Sequence, residues 1–272
     1  MRDILQNIIA NKRVEVDRQK QAVSLGTLLA LGHERIDRST VSMRASLEAS
    51  PSGIIAEFKR KSPSKGWLHP KAAVHEVVPA YESAGAAACS VLTDGEFFGG
   101  ALGDLQTARG LVRLPLLRKD FIIDPYQLYQ AKVMGADAVL LIAAVLTPAQ
   151  CAEFAELAHS LDLEVLLEVH SEEELEHLNK DVDMLGVNNR NLGSFHTDVE
   201  NSFRLAEKMR VLSKQKDLNP LLISESGLKD AAMLQRLRAV GFRGFLIGET
   251  FMRGAQPGNE LNNLIKDITH GN

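Results

Sequence analysis

From residue 54 onward, short apolar runs alternate with longer amphipathic segments. Several runs are nearly continuous in Val, Ile and Leu, which is typical of parallel strands buried on both faces. The segments between them indicate helices, and Asp124-Pro125 and Thr147-Pro148 supply helix start signals. The eight runs are residues 54–59, 88–92, 115–119, 138–143, 163–169, 184–188, 221–224 and 244–248.

Eight strand–helix units are the number that closes a (β/α)₈ TIM barrel, an α/β fold. An open doubly wound sheet usually carries a G-x-G-x-x-G turn after its first strand, and the sequence has none. Residues 1–53 show a helical apolar pattern. We therefore predict a single TIM-barrel domain over 1–272, with a helical extension at 1–53, a barrel at 54–272 and a last helix at about 259–268.

Composition and charge narrow the class of protein. The chain has 272 residues, of which 45% are apolar and 24% charged, as expected for a globular protein with a large core. The net charge of −4 carries no single-sign block, so neither nucleic acid nor a membrane is an expected partner. Cys89 and Cys151 do not have the spacing of metal ligands, and we interpret both as small apolar residues of the buried core. With no signal sequence apparent, we expect a soluble cytoplasmic protein.

Polar residues stand at the carboxyl ends of the runs, where TIM barrels form their active sites. Alternation within 54–59 puts Glu57 and Lys59 on one face. Each residue alone could be a solvated loop residue, but charges directed into one cavity must pair or serve chemistry. Glu164 lies at the opposite strand end, where stability is the better interpretation. The residues at the carboxyl ends are Glu57, Lys59, Lys119, Glu168, Asn188, Arg190, Glu225 and Ser226.

Glycines follow the last two runs. Gly227 ends the seventh strand region, and Gly248 with Glu249 ends the eighth. Many barrels bind phosphate at this position through backbone N–H groups. Each glycine alone indicates a tight turn, whereas both together favour a phosphorylated substrate.

The stretch IIAEFKRKSPSKGWL at 54–68 closely resembles the signature of indole-3-glycerol phosphate synthase, with the E-x-K pair in the first strand and an S-P-S loop containing Ser62 after it. The resemblance covers essentially every strand end from 54 to 253. It continues through SVLTDGEFFGG (90–100), LRKDFIIDPYQ (117–127), GADAVLLIAAVL (135–146), LLEVHSEEEL (166–175), LGVNNRNL (185–192), ISESGL (223–228) and GFLIGETFMR (244–253).

This resemblance implies a TIM barrel with an N-terminal helical extension that makes the indole ring in tryptophan biosynthesis. The implied enzyme is a decarboxylating lyase that converts 1-(2-carboxyphenylamino)-1-deoxyribulose 5-phosphate to indole-3-glycerol phosphate, carbon dioxide and water. It implies no metal or organic cofactor. Its partner is a small phosphorylated aromatic substrate. We expect a monomer or weak homodimer and leave open an association with other tryptophan-pathway enzymes.

The resemblance also assigns roles to residues. Lys119 is the implied general acid, Glu168 and Glu57 take part in later proton transfers, and Lys59 is either an acid for dehydration or an electrostatic clamp. Which lysine serves which step stays open. The implied catalytic set is Lys119, Glu168, Glu57, Lys59, Asn188, Glu225 and Ser226, and the implied substrate-binding set is Arg190, Phe98, Phe121, Ser62, Gly227, Gly248 and Glu249.

Glu249 departs from the family pattern, which often has a small hydroxyl residue there. Because a carboxylate repels phosphate, we expect the Glu249 N–H to face the anion and its side chain to turn outward.

Two alternative functions fit the sequence less well. A phosphoribosylanthranilate isomerase would use a cysteine at the first strand, whereas Cys89 lies near the start of the second. A non-catalytic barrel that binds a phosphorylated metabolite would have lost the acid–base residues, which are present.

Overall fold

The computed structural model describes residues 4–191, 193 and 195–270. Eight parallel strands close into a barrel in sequence order, with the last strand paired to the first. This confirms the predicted TIM barrel, and each predicted run differs from its strand by at most one residue at either end. The strands are β1 Ile54–Phe58, β2 Ala88–Leu92, β3 Leu116–Lys119, β4 Ala138–Ile142, β5 Glu164–Val169, β6 Met184–Asn188, β7 Leu221–Glu225 and β8 Gly244–Ile247.

Helices precede the barrel and connect its strands. Four lie before β1: α1 Ile4–Ala22, α2 Leu25–Leu31, α3 His33–Ile36 and α4 Met43–Ala49. The others are α5 Val74–Ser83, α6 Leu102–Leu111, α7 Tyr126–Met134, α8 Pro148–Ser160, α9 Glu200–Gln215, α10 Ala231–Ala239, α11 Glu249–Met252 and α12 Pro257–His270, with a 3₁₀ turn at Glu173–His177. The Thr147 start signal is confirmed as a reciprocal cap with Gln150. Helix α12 exceeds the predicted 259–268 because Pro257 occupies its first turn.

Side-chain alternation along the strands separates two apolar layers. Ile55, Leu117, Leu166 and Leu246 belong to a buried cluster that fills the barrel interior. The alternate positions, such as Phe58, pack instead into the layer between sheet and helices. Residues that share a face with the interior set therefore point into the barrel, as predicted. Cys89 and Cys151 are free and buried in the outer layer.

The amino end of the barrel is contacted by helix α4. The hydroxyl of Ser42, its N-cap residue, donates to the Glu164 carboxylate, which also accepts a hydrogen bond from the backbone N of Arg44 at 2.9 Å. Glu164 thus fixes the helical extension to β5, in agreement with the predicted structural role.

The opposite end is contacted by helix α1 through a buried ion cluster. The Lys12 ammonium is fully buried and lies 3.0 Å from Asp94 Oδ2 and 2.9 Å from Asp120 Oδ1. Asp94 follows β2 and Asp120 directly follows Lys119 at the end of β3. Burial by itself would lower the pKa of Lys12, but the two aspartates more than offset this and raise it. Lys12 therefore joins α1 to two strand ends of the barrel.

Replacing Lys12 with Met should destabilise the fold by about 3 kcal/mol, because it leaves the buried Asp94 without its cation and removes one of the two cations beside Asp120, which keeps Arg118. Urea unfolding measures the change. The control is Lys20→Met on the same helix, whose partly exposed ion pair with Asp124 should contribute no more than about 1 kcal/mol. Equal effects of the two substitutions would contradict the importance of the buried cluster.

Candidate active site

A cavity lies at the carboxyl ends of the strands, and all fourteen residues predicted for the site line it. They are Glu57, Lys59, Ser62, Phe98, Lys119, Phe121, Glu168, Asn188, Arg190, Glu225, Ser226, Gly227, Gly248 and Glu249. The cavity is also lined by Ile4, Leu5 and Ile8 of helix α1. The helical extension therefore supplies part of an apolar wall of the cavity.

Four charged side chains enter the cavity from alternate strands. Glu57 lies on β1, Lys119 on β3, Glu168 on β5 and Glu225 on β7. In a TIM barrel, side chains of alternate strands share one layer of the interior. This geometry explains why residues far apart in the chain meet: Lys119 Nζ lies 2.7 Å from Glu168 Oε2 and 3.3 Å from Glu225 Oε2.

The charges in this layer shift one another's pKa values. Burial by itself would lower the pKa of Lys119, but the carboxylates of Glu168, Glu225 and Glu57 more than offset it and raise the pKa. Lys119 is thus a protonated donor. Burial also favours the neutral form of Glu168, yet Lys119 and His170 hold its pKa below the usual range. The pKa of Glu225 is raised by burial and by the Glu168 charge. The carboxyl group of Glu168 is therefore more acidic than that of Glu225.

Lys59 pairs with the carboxylate of Glu57, the residue two positions earlier on the same face. The side chain of Glu57 also lies against the backbone of Gly248, where a Cβ atom would collide with it. A glycine is required at this position for packing as well as for any approach of an anion. Nearby, Ser226 and Gly227 both adopt left-handed backbone, with φ of 66° and 77°. For Ser226 this is a strained conformation of the kind that clusters at functional sites.

Arg190 is bound through each of its guanidinium nitrogens. It donates to Ser64 Oγ at 2.7 Å, to Glu249 Oε2 at 2.9 Å and to Thr197 Oγ1 at 3.2 Å. The other oxygen of Glu249 lies 2.8 Å from Arg253 Nη2. The Glu249 carboxylate therefore lies between Arg190, which lines the cavity, and the exposed Arg253, and the expectation that it turns away from a bound anion stays a prediction.

Two aromatic rings form one side of the cavity. Phe98 and Phe121 lie with ring centroids 6.0 Å apart and their planes tilted by 40°. The adjacent Phe97 does not line the cavity, although its backbone N donates to Asp94 Oδ1 at 2.8 Å. Asp94 thereby links the Lys12 cluster to the loop that carries Phe98. Apolar rings at this spacing provide a surface for a flat aromatic group.

Sequence reasoning missed two polar residues next to the site, Lys12 and His170. Lys12 stands in the stripe Ile8–Lys12–Val16, whose i,i+4 spacing and burial mark the inner face of α1. His170 follows Glu168 by two residues and so shares its side of the strand. The periodicity of the sequence indicates an inward position for both residues. They were missed because polar side chains are usually exposed.

Neither a metal-binding cluster nor a membrane-spanning helix occurs in the described part of the chain. Within 4–191, 193 and 195–270, no group of three or more His, Cys, Asp or Glu side chains has the arrangement of a metal site. Over the same residues, no helix is both long and apolar enough to span a bilayer.

The fold and site define a TIM-barrel protein with a buried lysine–carboxylate centre. Solved structures of similar fold include two proteins of Pyrococcus furiosus. One is a mutant tryptophan synthase alpha-subunit, with a TM-score of 0.60, 13% identity and coverage of 80% of this chain and 98% of that one. The other is a thiamine phosphate pyrophosphorylase, with a TM-score of 0.58, 17% identity and coverage of 84% and 98%. At these identities the likeness shows the fold alone.

Sequence comparison is more specific. The family model for indole-3-glycerol phosphate synthase matches residues 5–264. An indole-3-glycerol phosphate synthase of Bacteroides thetaiotaomicron is 59% identical over 98% of this chain and 100% of its own length. One of Neisseria gonorrhoeae is 45% identical over 97% and 100%. The chain belongs to the indole-3-glycerol phosphate synthase family, whose members are lyases of tryptophan biosynthesis, and the predicted family is confirmed.

Glu225→Gln should stabilise the folded protein at pH 8 by about 1 kcal/mol or more, the equivalent of about one pKa unit. Because the folded-state pKa of Glu225 is raised above 4.5, ionising it costs folding free energy at high pH. The gain should vanish below about pH 4.5, where the carboxyl is protonated in both states. Urea unfolding at pH 4.5 and 8 measures it, with the exposed Glu172→Gln as control. A gain independent of pH would contradict this interpretation.

Proposed function

We propose that this chain converts 1-(2-carboxyphenylamino)-1-deoxyribulose 5-phosphate to indole-3-glycerol phosphate, carbon dioxide and water. The observation that carries the proposal is the Lys119 ammonium held between two buried carboxylates in a cavity with an aromatic wall. Such a group supplies the proton that ring closure requires and the positive charge that a decarboxylation favours.

The substrate is held by three parts of the cavity. Its aromatic ring packs against Phe98 and Phe121, and its phosphate binds backbone N–H groups near Gly227 and Gly248, with Lys59 close by. These glycines and rings line one cavity, which supports a phosphorylated aromatic ligand. The Glu249 backbone N–H, at the start of helix α11, contributes to the same phosphate site.

Arg190 binds the substrate carboxylate. Its contacts with Thr197, Ser64 and Glu249 use three of the five N–H donors of the guanidinium, one on each nitrogen. The second N–H groups on Nη1 and Nη2 are the donors for an incoming carboxylate.

Ring closure begins when the ring carbon that carries the carboxylate attacks the substrate carbonyl carbon. Lys119 protonates the carbonyl oxygen at that moment, which prevents an alkoxide from forming in a buried site. The raised pKa of Lys119 keeps it charged before the step. Proton transfer by a positioned group of this kind contributes about 10²- to 10⁴-fold in rate.

Loss of carbon dioxide and of water follows. The positive charge of Lys119 or Lys59 stabilises the electron density that decarboxylation leaves in the ring. Dehydration needs an acid for the departing hydroxyl and a base for the carbon next to nitrogen. Lys59 or Lys119 is the acid, and Glu168 or Glu57 is the base. Glu57 is paired with Lys59 and Glu168 with Lys119, so that a proton can pass between each carboxylate and its lysine. Asn188, which donates to Glu168 Oε1 at 3.1 Å, orients that carboxylate.

A phosphoribosylanthranilate isomerase activity fits the geometry poorly. Cys89 is fully buried in the outer apolar layer rather than in the cavity, and burial raises the pKa of its thiol. A thiol of that kind has no access to a ligand bound between Lys119 and Glu168.

We also propose that the chain acts in the cytoplasm as a monomer or weak homodimer, open to association with other enzymes of tryptophan biosynthesis. Its two free, buried cysteines suit a reducing compartment. Sedimentation equilibrium across a concentration series measures the oligomeric state.

The purified chain should produce indole fluorescence when given the carboxyphenylamino-deoxyribulose phosphate. Lys119→Ala should reduce kcat by at least about 10²-fold while substrate binding is largely retained, because the proton donor is lost and the phosphate and ring contacts remain. The control is Lys229→Ala, an exposed lysine that does not line the cavity. Folded wild-type protein without fluorescence would contradict the proposed function, and near wild-type kcat for Lys119→Ala would remove Lys119 as the acid.

A further inference from the structure

His170 is a largely buried histidine beside the active site that the roles above do not use. It lies just beyond β5, and its side chain is 13% exposed. Its Nε2 atom is 3.5 Å from Glu168 Oε1, and its Nδ1 atom is 3.3 Å from Glu174 Oε2. His170 does not line the cavity. The imidazole therefore connects a carboxylate of the active site with a second carboxylate outside it.

The backbone of His170 is held by groups on two other elements. Glu174, on the 3₁₀ turn after β5, also accepts a hydrogen bond from the backbone N of His170 at 2.6 Å. Asn201 of helix α9 donates to the backbone O of His170 at 2.9 Å. The Glu174 side chain is 22% exposed. Contacts thus run from solvent through Glu174 and His170 to Glu168, and from Glu168 to Lys119; the link between His170 Nε2 and Glu168 Oε1 is an ion-pair contact at 3.5 Å and not a hydrogen bond.

The charged groups around His170 favour its protonated form. They are Glu168 on β5, Glu174 on the following turn and Glu225 across the barrel, with Lys119 beyond Glu168. Burial by itself would lower the pKa of His170, but the Glu174 hydrogen bond and the negative charges more than offset this and raise it. Histidine is the side chain best suited to carry protons at physiological pH, because its ordinary pKa lies close to neutral.

The proposed reaction consumes one proton per turnover. Two protons are delivered to the carbonyl oxygen, the first as the ring carbon attacks and the second as the resulting hydroxyl leaves as water. One proton is released from the carbon next to nitrogen when the indole ring becomes aromatic. The carboxylate leaves as neutral carbon dioxide, and its bonding electrons remain in the ring. Solvent must therefore supply one proton in each cycle.

The cavity mouth is a poor entrance for that proton during turnover. The side chains of Lys119 and Glu168 are 13% and 2% exposed, and both line the space that the substrate fills. Bound substrate therefore separates them from water on the cavity side. A path from another side is needed if reprotonation is to occur before product leaves.

We propose that Glu174 and His170 relay the proton from solvent to Glu168 and Lys119. The neutral ring carries its proton on Nε2; its Nδ1 atom takes up a proton from solvent by way of Glu174, and the imidazolium so formed gives its Nε2 proton to Glu168 Oε1, which leaves the neutral ring with its proton on Nδ1. After product has left, water in the open cavity returns a proton to Nε2 through Glu168, and Nδ1 releases its proton to Glu174, which restores the first tautomer. Glu168 passes a proton on to the neutral amine that Lys119 becomes after donating. This inference rests on the proposed function. His170 acts through Glu168 and does not itself touch the substrate.

The test is the His170→Ala variant, with kcat followed by indole fluorescence at saturating substrate. We expect kcat to fall by about 10- to 100-fold, because a proton transfer is slowed. KM should stay within about twofold, because His170 does not line the cavity. Added imidazole should restore kcat in a concentration-dependent manner. Added 1,2,4-triazole, a ring of the same size but a much weaker base, should not.

Two further variants keep the test decisive. His170→Asn fills much of the same space without a titrating ring, so its kcat should fall as in His170→Ala. If the alanine variant does not fold, the kcat of His170→Asn tests the relay. The matched control is His159→Ala, whose imidazole also lies between two carboxylates, Asp181 at 3.4 Å and Asp183 at 2.9 Å. Because Asp183 directly precedes β6, His159 lies at the amino end of the barrel, and kcat should not change.

Wild-type kcat in both His170 variants, or equal restoration by imidazole and triazole, would overturn the relay. The second result would mean that the ring only fills space. A wild-type protein without turnover would instead overturn the proposed function, so the two failures are distinguishable.

Discussion

The ammonium group of Lys119 is the charge on which the rest of the active site depends. It lies between the buried carboxylates of Glu168 and Glu225, each of which would be costly to ionise in the barrel interior without it. Barrel closure makes this possible, because alternate strands place their inward side chains in one layer. The same charges that stabilise one another in the resting protein have pKa values shifted in opposite directions, and this difference is what acid–base chemistry requires.

The helical extension completes the cavity because one buried lysine fixes it to the barrel. Lys12 contacts Asp94 and Asp120, and these aspartates in turn accept hydrogen bonds from the backbone N atoms of Phe97 and Phe121. A single ion cluster thus positions the apolar face of α1, the loop after β2 and the residue next to Lys119. The stability of the fold and the shape of the cavity depend on the same contact, so the extension is part of the cavity wall and not merely of the exterior of the barrel.

Much of this protein was predictable from local patterns. Eight apolar runs gave the strands to within one residue, and alternation from Ile55 placed Glu57 and Lys59 on the interior face. All fourteen residues chosen at strand ends and by family resemblance line the cavity. Prediction failed where a polar residue departed from its usual surroundings. Lys12 occupies a buried position in an apolar stripe, and His170 is largely buried beside Glu168.

The sequence by itself determined the strands, the barrel and the residues at its carboxyl ends, because these follow from periodicity and from position along each strand. Only the tertiary structure decided which charges pair. Lys119 could have paired with Glu57 or Glu168, and its contact with Glu168 joins residues 49 positions apart. Likewise, only the tertiary structure brings His170 and Glu174 next to one another and to Glu168. Such pairings depend on barrel closure and on side-chain rotamers, which set distances across the interior that no local pattern contains.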